Sequence, residues 1–390
     1  MTQSETAEEV AVVDAWLSAC LRRDFEAVPP KPDWEAAELV NRMAYHGIVG
    51  TLVEDAELMR AQPADLAEQM RKVARGHAFQ ELAHGRILTQ LASDFAAKGI
   101  EPMVLKGVAL AYSVYDKPFL RPRGDTDILV AEADFDRAAE ILTAHGFSLA
   151  SAPGGRIVRS QRCYAMRDAH GLHHVIDLHR QTNNHAALAA VFTYTELRAR
   201  AEPLDGLHPA LLRPGNVDAL LFACYHRFMH IDVPITVAGR WHLSRNRLIW
   251  LLDMVRIGRV LSQQDWETFV ERSRKKGLLR ICHASLVAAR DRAGLDLPAN
   301  VLEALEQAPP NEAPLRFLGT GRVGKLLADL AATPGFGQKF GFLRETVFPP
   351  AAYMRAAFGR AGRHETLTRL YFRRIVRGLG ALSRKGRPDA

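Results

Sequence analysis

The feature that most constrains the fold is a change in the spacing of apolar residues near Gly99. Before it, apolar residues recur every three or four positions, as in EEVAVVDAWLSACLRR and in the long stretch from Asp65 to Lys98. This spacing is typical of amphipathic helices, because residues at i, i+3, i+4 and i+7 share one helix face. No strand-like run interrupts the pattern, so we predict a helical N-terminal region over residues 1–98.

Short runs with strand character follow in residues 99–200. They are EPMVL, DILVA, FSLAS, RIVRSQRCYAMR and HHVIDLH, with only two helical segments between them. APGGR and DAHG have the composition of hairpin turns, so the later strands are expected to pair antiparallel. Helical spacing returns from PGNVDALLFACYHRF onward. We therefore predict an α+β fold, with a small mixed β-sheet core over 99–200 between helical regions over 1–98 and 201–390.

Composition and cysteine usage narrow the class of protein. The chain is 48% hydrophobic and 24% charged, which excludes a disordered or fibrous protein. Cys20, Cys163, Cys224 and Cys282 lie far apart without a CxxC pair, so neither a disulfide framework nor a thiolate zinc site is indicated. No apolar run approaches the roughly 18 residues of a membrane helix. We expect a cytoplasmic protein without a membrane partner.

The formal net charge of +7 is concentrated near the C-terminus. The tail from Arg360 onward contains many arginines and few acids, so it produces a positive field. Leu367, Leu370, Tyr371 and Ile375 recur between the arginines at helical spacing, which favours the solvated face of an amphipathic helix. Binding of a polyanion such as RNA is the alternative.

Three aspartates interrupt the predicted strands. Asp125 and Asp127 stand two apart at the start of DILV, so their side chains project to the same side. Two like charges beside a core are costly unless a cation or protons neutralise them, and Mg²⁺ prefers oxygen ligands of this kind. Asp177 lies among Val175, Ile176 and Leu178, where packing does not explain a carboxylate. The three aspartates are candidate ligands of Mg²⁺ or Mn²⁺.

Basic residues around the first predicted strand indicate a phosphate-binding function. The strand runs into Lys106 and Gly107 at the start of a helix, where backbone N–H groups, the helix dipole and the lysine charge favour an anion. Arg121 and Arg123 precede the aspartate pair and are predicted either to clamp a triphosphate or to neutralise the acids.

Three further residues are candidates for the lining of a substrate cleft. His226 and His230 share a helix face, a spacing that can bind zinc, but structural packing or a place in the cleft is favoured because no HExxH glutamate accompanies them. Asp253 lies within the apolar helix LIWLLDMVRIG and is expected to pair with Arg247 or Arg256.

The ordered motifs LKGVALAYSVY, RPRGDTDILV and VIDLHR resemble a poorly characterised bacterial branch of the nucleotidyltransferase superfamily typified by DNA polymerase beta. The runs YHRFMH, RLIWLLDMVRIGR and VFPPAAYMR extend the resemblance into the C-terminal half. It implies that residues 99–200 form a nucleotidyltransferase core. Lys106 and Gly107 stand where the superfamily usually has Gly-Ser, so one phosphate ligand of the superfamily is missing.

The resemblance implies a function and a set of roles. An NMP group would move from a nucleoside triphosphate such as ATP to an acceptor hydroxyl with release of pyrophosphate. Asp125 and Asp127 would bridge two metals, and Asp177 would bind the metal nearest the nucleophile. The acceptor is left open between a small molecule, a protein and RNA. Two alternatives also stay open, namely a catalytically silent nucleotide- or partner-binding module and an RNA-directed transferase that uses the basic tail.

Overall fold

The computed structural model describes residues 7–24, 35–152, 154–231, 235–237, 240–242, 246–359 and 365–383. Its helices are α1 (Ala7–Leu21), α2 (Ala36–His46), α3 (Val49–Val53), α4 (Ala56–Ala61), α5 (Ala64–Ala97), α6 (Lys106–Ala111), α7 (Phe135–Ala144), α8 (Ala186–Ala189), α9 (Tyr194–Arg198), α10 (Asn216–His230), α11 (Leu248–Gly258), α12 (Gln263–Lys276), α13 (Leu279–Ala293), α14 (Ala299–Glu306), α15 (Ala313–Gly319), α16 (Arg322–Ala332), α17 (Phe336–Val347), α18 (Ala351–Phe358) and α19 (Leu367–Ser383). Its strands are β1 (Met103–Leu105), β2 (Thr126–Leu129), β3 (Ser148–Leu149), β4 (Gln161–Arg167), β5 (His173–His179), β6 (Ala201–Leu204), β7 (His208–Pro214), β8 (Ile235–Val237) and β9 (Arg240–His242).

The α+β fold predicted from the sequence is confirmed, with helices at both ends of the chain and a mixed sheet. The long helical pattern that begins at Asp65 forms α5, a single helix of 34 residues. Its buried residues recur mostly every three or four positions, so they share one face of the helix. No strand lies among the described residues before β1.

Seven strands form one sheet in the order β3-β4-β5-β2-β1-β7-β6, and β8 and β9 form a separate two-stranded sheet. The hairpin of β4 and β5 is antiparallel, as the turn composition predicts. Its turn is closed by two backbone bonds: Gly171 N–H donates to Asp168 O and Asp168 N–H donates to Leu172 O, each at 3.0 Å. Gly171 has φ +80°, a conformation that favours glycine.

Two strands lie in a segment whose sequence pattern predicts no strand. β7 pairs in parallel with β1 and antiparallel with β6, and a register shift interrupts the second pairing between Pro203 and Leu204. Prolines at 203, 209 and 214 obscure the strand pattern, since proline removes a ladder donor and is tolerated only at edges, strand ends and bulges. The chain from 201 onward is therefore not purely helical.

The chain divides into two compact units. The first unit comprises 1–126 and 200–312, and the second comprises 127–199 and 313–390. In the first unit, α10, α11 and α13 pack on one another around an apolar core that includes Leu221, Leu251 and Leu286. In the second unit, β4 and β5 carry the core side chains Tyr164, Ile176 and Leu178, all buried.

The basic C-terminal tail forms a helix over part of its length. α19 begins at Leu367; of the apolar residues predicted to share one helix face, Leu370 is buried, whereas Ile375 is 43% exposed. The tail residues 360–364 and 384–390, with Arg360 among them, lie outside the described residues. None of the helices in the described ranges combines the length and the apolar character that crossing a membrane requires.

Candidate functional site

The second unit gathers two of the predicted metal ligands. Asp127 is buried in β2, and Asp177 is half-buried in β5. His179 stands two residues after Asp177, so the side chains of both project to the same face of β5. The backbone N–H of Val130, just after β2, donates to His179 O at 3.0 Å, which fixes the end of β5 beside β2.

Asp127, Asp177 and His179 form a cluster that can hold a metal ion. One potential ligand atom of each residue lies within 4.8 Å of those of the other two. His179 Nε2 is 3.0 Å from Asp127 Oδ1, and Gln161 Nε2 donates to Asp177 Oδ2 at 3.2 Å. Two carboxylates and one imidazole are an established ligand set for divalent cations. We refer to these three residues as the cation cluster.

The cation cluster contains polar atoms that lack a protein partner. Asp177 Oδ1 and His179 Nδ1 are both buried, and neither has a hydrogen-bond partner within the described part of the chain. An unsatisfied buried acceptor costs about 1–3 kcal/mol, and more when it is charged. A cation at Asp177 Oδ1 would remove that cost, so the donor set of this site fits a divalent metal ion.

Asp125, the third predicted metal ligand, belongs to the first unit and is exposed one residue before β2. Its carboxylate is one of the charges that raise the pKa of Arg121. The structure thus brings Asp127 and Asp177 together, and a metal-binding role of Asp125 stays a prediction.

The predicted phosphate-binding segment lies at the junction of β1 and α6. Lys106 has φ +52°, a left-handed conformation that is uncommon for residues other than glycine and that concentrates at functional sites. The next residue, Gly107, is buried, and a Cβ there would lie 3.3 Å from Arg123 Cδ. Arg123 therefore packs closely against this glycine, and a larger residue at 107 would need the Arg123 side chain to shift by a few tenths of an ångström.

Arg121 forms a buried ion pair with Asp253. Arg121 Nε donates to Asp253 Oδ1 at 2.7 Å and Nη2 donates to Oδ2 at 2.8 Å, while Tyr115 Oη donates to Oδ1 at 2.7 Å. Burial alone lowers the pKa of Arg121, but the facing carboxylate outweighs burial and raises it. Asp253 thus pairs with Arg121 and not with Arg247 or Arg256, the partners expected from helical spacing; Arg256 instead contacts Asp116 at 2.9 Å.

Arg123 has an analogous partner in Glu81 of α5. Arg123 Nη1 and Nη2 donate to the two Glu81 oxygens at 2.6 and 2.9 Å, and Tyr112 Oη donates to Glu81 Oε1 at 2.6 Å. Burial, together with the Glu81 charge, raises the pKa of Tyr112 above its ordinary value. Both predicted phosphate-clamping arginines are therefore already held by carboxylates of the first unit.

A pocket in the first unit gathers four of the residues predicted from the sequence. Its lining consists of Lys106, Ala109, Leu110, Arg121, Pro214, Ala219, Phe222, Ala223, His226, Trp250 and Asp253. The Lys106 side chain is half-buried there, and the Arg121–Asp253 pair contributes to the wall. The predicted cleft residues His226 and Asp253 thus share a pocket with the predicted phosphate-binding Lys106.

His226 and His230 pack as aromatic groups. Their ring centroids are 4.6 Å apart, and the His226 ring contacts Trp250 edge to face at 5.6 Å. His230 is half-buried and does not line the pocket described above. This geometry agrees with the packing interpretation of the pair.

Two residues that contact the candidate site residues were not predicted from the sequence. His179 is the last residue of VIDLH and shares the strand face of Asp177, so the period of two in an extended strand was a sufficient signal for it. Glu81 lies 42 residues before Arg123 in α5, which has four acidic residues, and nothing in its local sequence distinguishes it.

Comparison with known proteins bears on the family of the chain. No curated protein is significantly similar to the chain. The model of a protein family described as an uncharacterised nucleotidyltransferase matches residues 30–294, more than half of the 390-residue chain. The matched segment includes Lys106, the DxD motif and the whole cation cluster. The chain therefore belongs to this family of uncharacterised nucleotidyltransferases.

Proposed function

We propose that the protein is a metal-dependent nucleotidyltransferase that moves an NMP group from a nucleoside triphosphate to an acceptor hydroxyl. In this reaction the acceptor oxygen forms a bond to the α-phosphorus, and the bond from the α-phosphorus to the bridging oxygen breaks. Pyrophosphate leaves with the electron pair of that bond, and the hydroxyl proton passes to a base or to solvent. Membership of the family supports nucleotidyl transfer.

The observation that carries the proposal is the buried, unpartnered Asp177 Oδ1 within the cation cluster. A buried carboxylate oxygen without a partner destabilises a protein that binds no cation. In a metal-dependent transferase the same oxygen would serve as a metal ligand. A divalent ion there, Mg²⁺ or Mn²⁺, would supply neutralisation of phosphate charge and activation of the attacking hydroxyl.

The residues of the chain have distinct proposed roles. Asp127 and Asp177 would hold the cation, and Asp125 of the DxD motif is the third proposed ligand. Gln161 orients Asp177 through its 3.2 Å hydrogen bond, and His179 contacts Asp127 at 3.0 Å. Such partners of metal ligands fix the direction of the ligand oxygen and tune its affinity.

Lys106 and Gly107 are the proposed triphosphate-binding residues in the first unit. The left-handed backbone of Lys106 supports this role, because strain of this kind is retained where function requires it. The guanidinium groups of Arg121 and Arg123 form ion pairs with Asp253 and Glu81. We therefore propose that these two arginines position the Lys106–Gly107 segment and do not clamp the triphosphate themselves.

Pyrophosphate release tests the function directly. Full-length protein is incubated with each nucleoside triphosphate, Mg²⁺ or Mn²⁺ and a panel of hydroxyl acceptors, and both pyrophosphate and the mass added to the acceptor are measured. Asp127→Asn is expected to reduce the rate by at least a hundredfold. Asp291→Asn is the matched control, since this carboxylate is 53% exposed and its ion pair is with the exposed Arg290.

Three outcomes separate the candidate functions. Pyrophosphate release with a mass gain of one NMP on the acceptor supports the proposal. Tight triphosphate binding without turnover in any combination indicates a catalytically silent module. Turnover with RNA alone that disappears after truncation beyond Gly359 indicates an RNA-directed enzyme, as the basic tail suggests.

A further inference from the structure

The loop between β3 and β4 is held in place by the C-terminal helices of the second unit. Glu345 of α17 accepts hydrogen bonds on Oε2 from the backbone N–H groups of Ile157 at 2.7 Å and Val158 at 3.1 Å. Gly155 has φ +133°, and a Cβ there would lie 2.4 Å from the same Glu345 oxygen. The conformation of the loop therefore depends on a carboxylate almost two hundred residues away in the sequence.

This loop closes a pocket of about 160 Å³ over the start of β4. The lining residues are Leu149, Ser151, Ala152, Gly154, Arg159, Gln161, Arg162, Cys163 and Tyr353. The volume is well below the roughly 300–1,000 Å³ of sites that enclose drug-sized ligands. Its volume suits a small chemical group.

The pocket adjoins the cation cluster through two of its lining residues. Gln161 donates from Nε2 to Asp177 Oδ2 at 3.2 Å, and Asn184 Nδ2 donates to Gln161 Oε1 at 3.3 Å, which holds the amide in place. Cys163 is the cross-strand partner of Asp177 in the β4–β5 hairpin, so their side chains share a face of the sheet. A ligand in the pocket therefore lies next to Asp177.

Two arginines line the pocket. Arg162 is paired with Asp136 at 3.0 Å and stacked over the Phe135 ring at 4.7 Å. Arg159 lines the pocket and is exposed, and none of the ion pairs or hydrogen bonds among the described residues involves its guanidinium. Asp and Glu are absent from the lining residues given above. A guanidinium that faces a cavity without an acid is a binding group for phosphate or carboxylate.

We infer that this pocket, which we call the Arg159 pocket, binds an anionic group of the acceptor, either a phosphate or a carboxylate. The inference rests on the proposed function and assigns a substrate class to the same active site. Tyr353, which forms one wall, lies beyond the residues 30–294 matched by the family. A residue outside the family match, Tyr353, would thus contribute to the choice of acceptor.

Anion binding tests the Arg159 pocket without any nucleotide or metal. Inorganic phosphate and, in a second arm, acetate are titrated into the full-length protein and followed by calorimetry. Arg159→Gln is expected to weaken binding of the preferred anion at least tenfold. Arg156→Gln is the matched control, because Arg156 lies in the same loop with its side chain 60% exposed and is not part of the pocket lining. Its anion affinity is expected to change less than twofold.

The outcomes distinguish failure of the pocket from failure of the proposed function. Equal phosphate and acetate affinities in Arg159→Gln and the wild-type protein would overturn the inference, whatever the catalytic result. Tighter binding of phosphate than of acetate assigns a phosphate-bearing acceptor, and the reverse assigns a carboxylate. Asp127→Asn, which abolishes transfer under the proposed function, is expected to keep its phosphate affinity.

Competition with nucleotide tests whether the anion belongs to the acceptor. Saturating the protein with the preferred anion is expected to leave the affinity for each triphosphate, measured in the presence of Ca²⁺ to prevent turnover, within twofold. Competitive displacement of the triphosphate would show that the Arg159 pocket holds the triphosphate itself, and the inference would be wrong.

Discussion

His179 Nε2 lies 3.0 Å from Asp127 Oδ1, and this contact joins the motif DLH to the motif DxD. The two residues are 52 positions apart in the chain, yet both belong to the second unit and both side chains are buried. The contact restrains the Asp127 carboxylate beside Asp177. His179 is therefore part of the proposed cation site, either as a ligand or as the group that orients Asp127.

His179→Ala is expected to weaken Mn²⁺ binding by about ten- to a hundredfold, the usual effect of removing a partner of a metal ligand. His179→Gln keeps a donor near the position of Nε2 and is expected to recover part of that affinity. His173→Ala, an exposed histidine on the same strand, is the control and is expected to bind Mn²⁺ like the wild type. The measurement is Mn²⁺ titration followed by electron paramagnetic resonance. Wild-type affinity in His179→Ala would show that the imidazole has no part in the site.

The buried pair of Arg121 and Asp253 predicts a large stability effect. Asp253→Asn leaves the Arg121 guanidinium buried without its counter-charge, and we expect a loss of about 3–5 kcal/mol in the free energy of unfolding. Asp116→Asn is the matched control: its carboxylate pairs with Arg256 at 2.9 Å but is 75% exposed, so a loss below about 1 kcal/mol is expected. Urea denaturation measures both. Equal losses in the two variants would contradict the assignment of a buried pair.

His46 predicts a dependence of stability on pH. Its Nδ1 accepts from Leu248 N–H at 3.1 Å, so Nε2 carries the proton that is donated to Asp14 at 2.7 Å. Burial lowers the pKa of His46 from 6.5 to about 4 although Asp14 acts in the opposite direction. Between these values the unfolded chain binds a proton that the folded chain does not, so stability falls as pH falls.

The expected loss from His46 is about 1.5 kcal/mol between pH 6.5 and pH 5. Asp14 affects stability at lower pH. Burial raises the pKa of its carboxyl, but His46 and Arg42 together outweigh burial and hold the pKa at about 2. The stability that Asp14 contributes is therefore lost only as pH falls below 3.8. Denaturation of wild type and His46→Gln at both pH values isolates the histidine. The variant is expected to show a smaller change, and an identical pH dependence of the two proteins would refute the prediction.

Gly155 predicts a steric effect on the β3–β4 loop. Gly155→Ala places a Cβ against Glu345 Oε2 in a backbone region with positive φ, and a loss of about 1–3 kcal/mol is expected. Gly337→Ala is the control within α17, where a Cβ meets nothing within 4 Å and helix propensity favours alanine. Thermal denaturation should lower the midpoint of the first variant and leave that of the second unchanged or raised. A Gly155→Ala variant as stable as wild type would mean that the loop does not need the Glu345 contact.

The sequence predicts local structure well where one period dominates. The helical spacing before Gly99 and the alternation in HHVIDLH both specify their elements, and DAHG specifies the turn of the β4–β5 hairpin. β6 and β7 escape prediction because prolines interrupt their pattern and because their stability comes from pairing, in part with β1, a strand about a hundred residues away.

The candidate site likewise contains residues that the sequence predicts and pairings that it does not. Asp127 and Asp177 are recognisable as carboxylates that packing does not explain, and the structure brings them together. The pairing of Arg121 with Asp253 and of Arg123 with Glu81 is not recognisable, since these acids lie 132 and 42 residues from their partners and the chain offers 44 acidic residues. Partners at such distances are selected by tertiary packing, which a single sequence does not display.

The most direct test of the account is whether the cation cluster binds a divalent ion through Asp177. Mn²⁺ is titrated into wild type, Asp177→Asn and the exposed-carboxylate control Asp291→Asn, and free Mn²⁺ is measured by electron paramagnetic resonance. We expect wild type and Asp291→Asn to bind with equal affinity and Asp177→Asn to lose at least tenfold. Equal Mn²⁺ affinity in all three proteins would contradict the proposed metal site and the transfer reaction built on it.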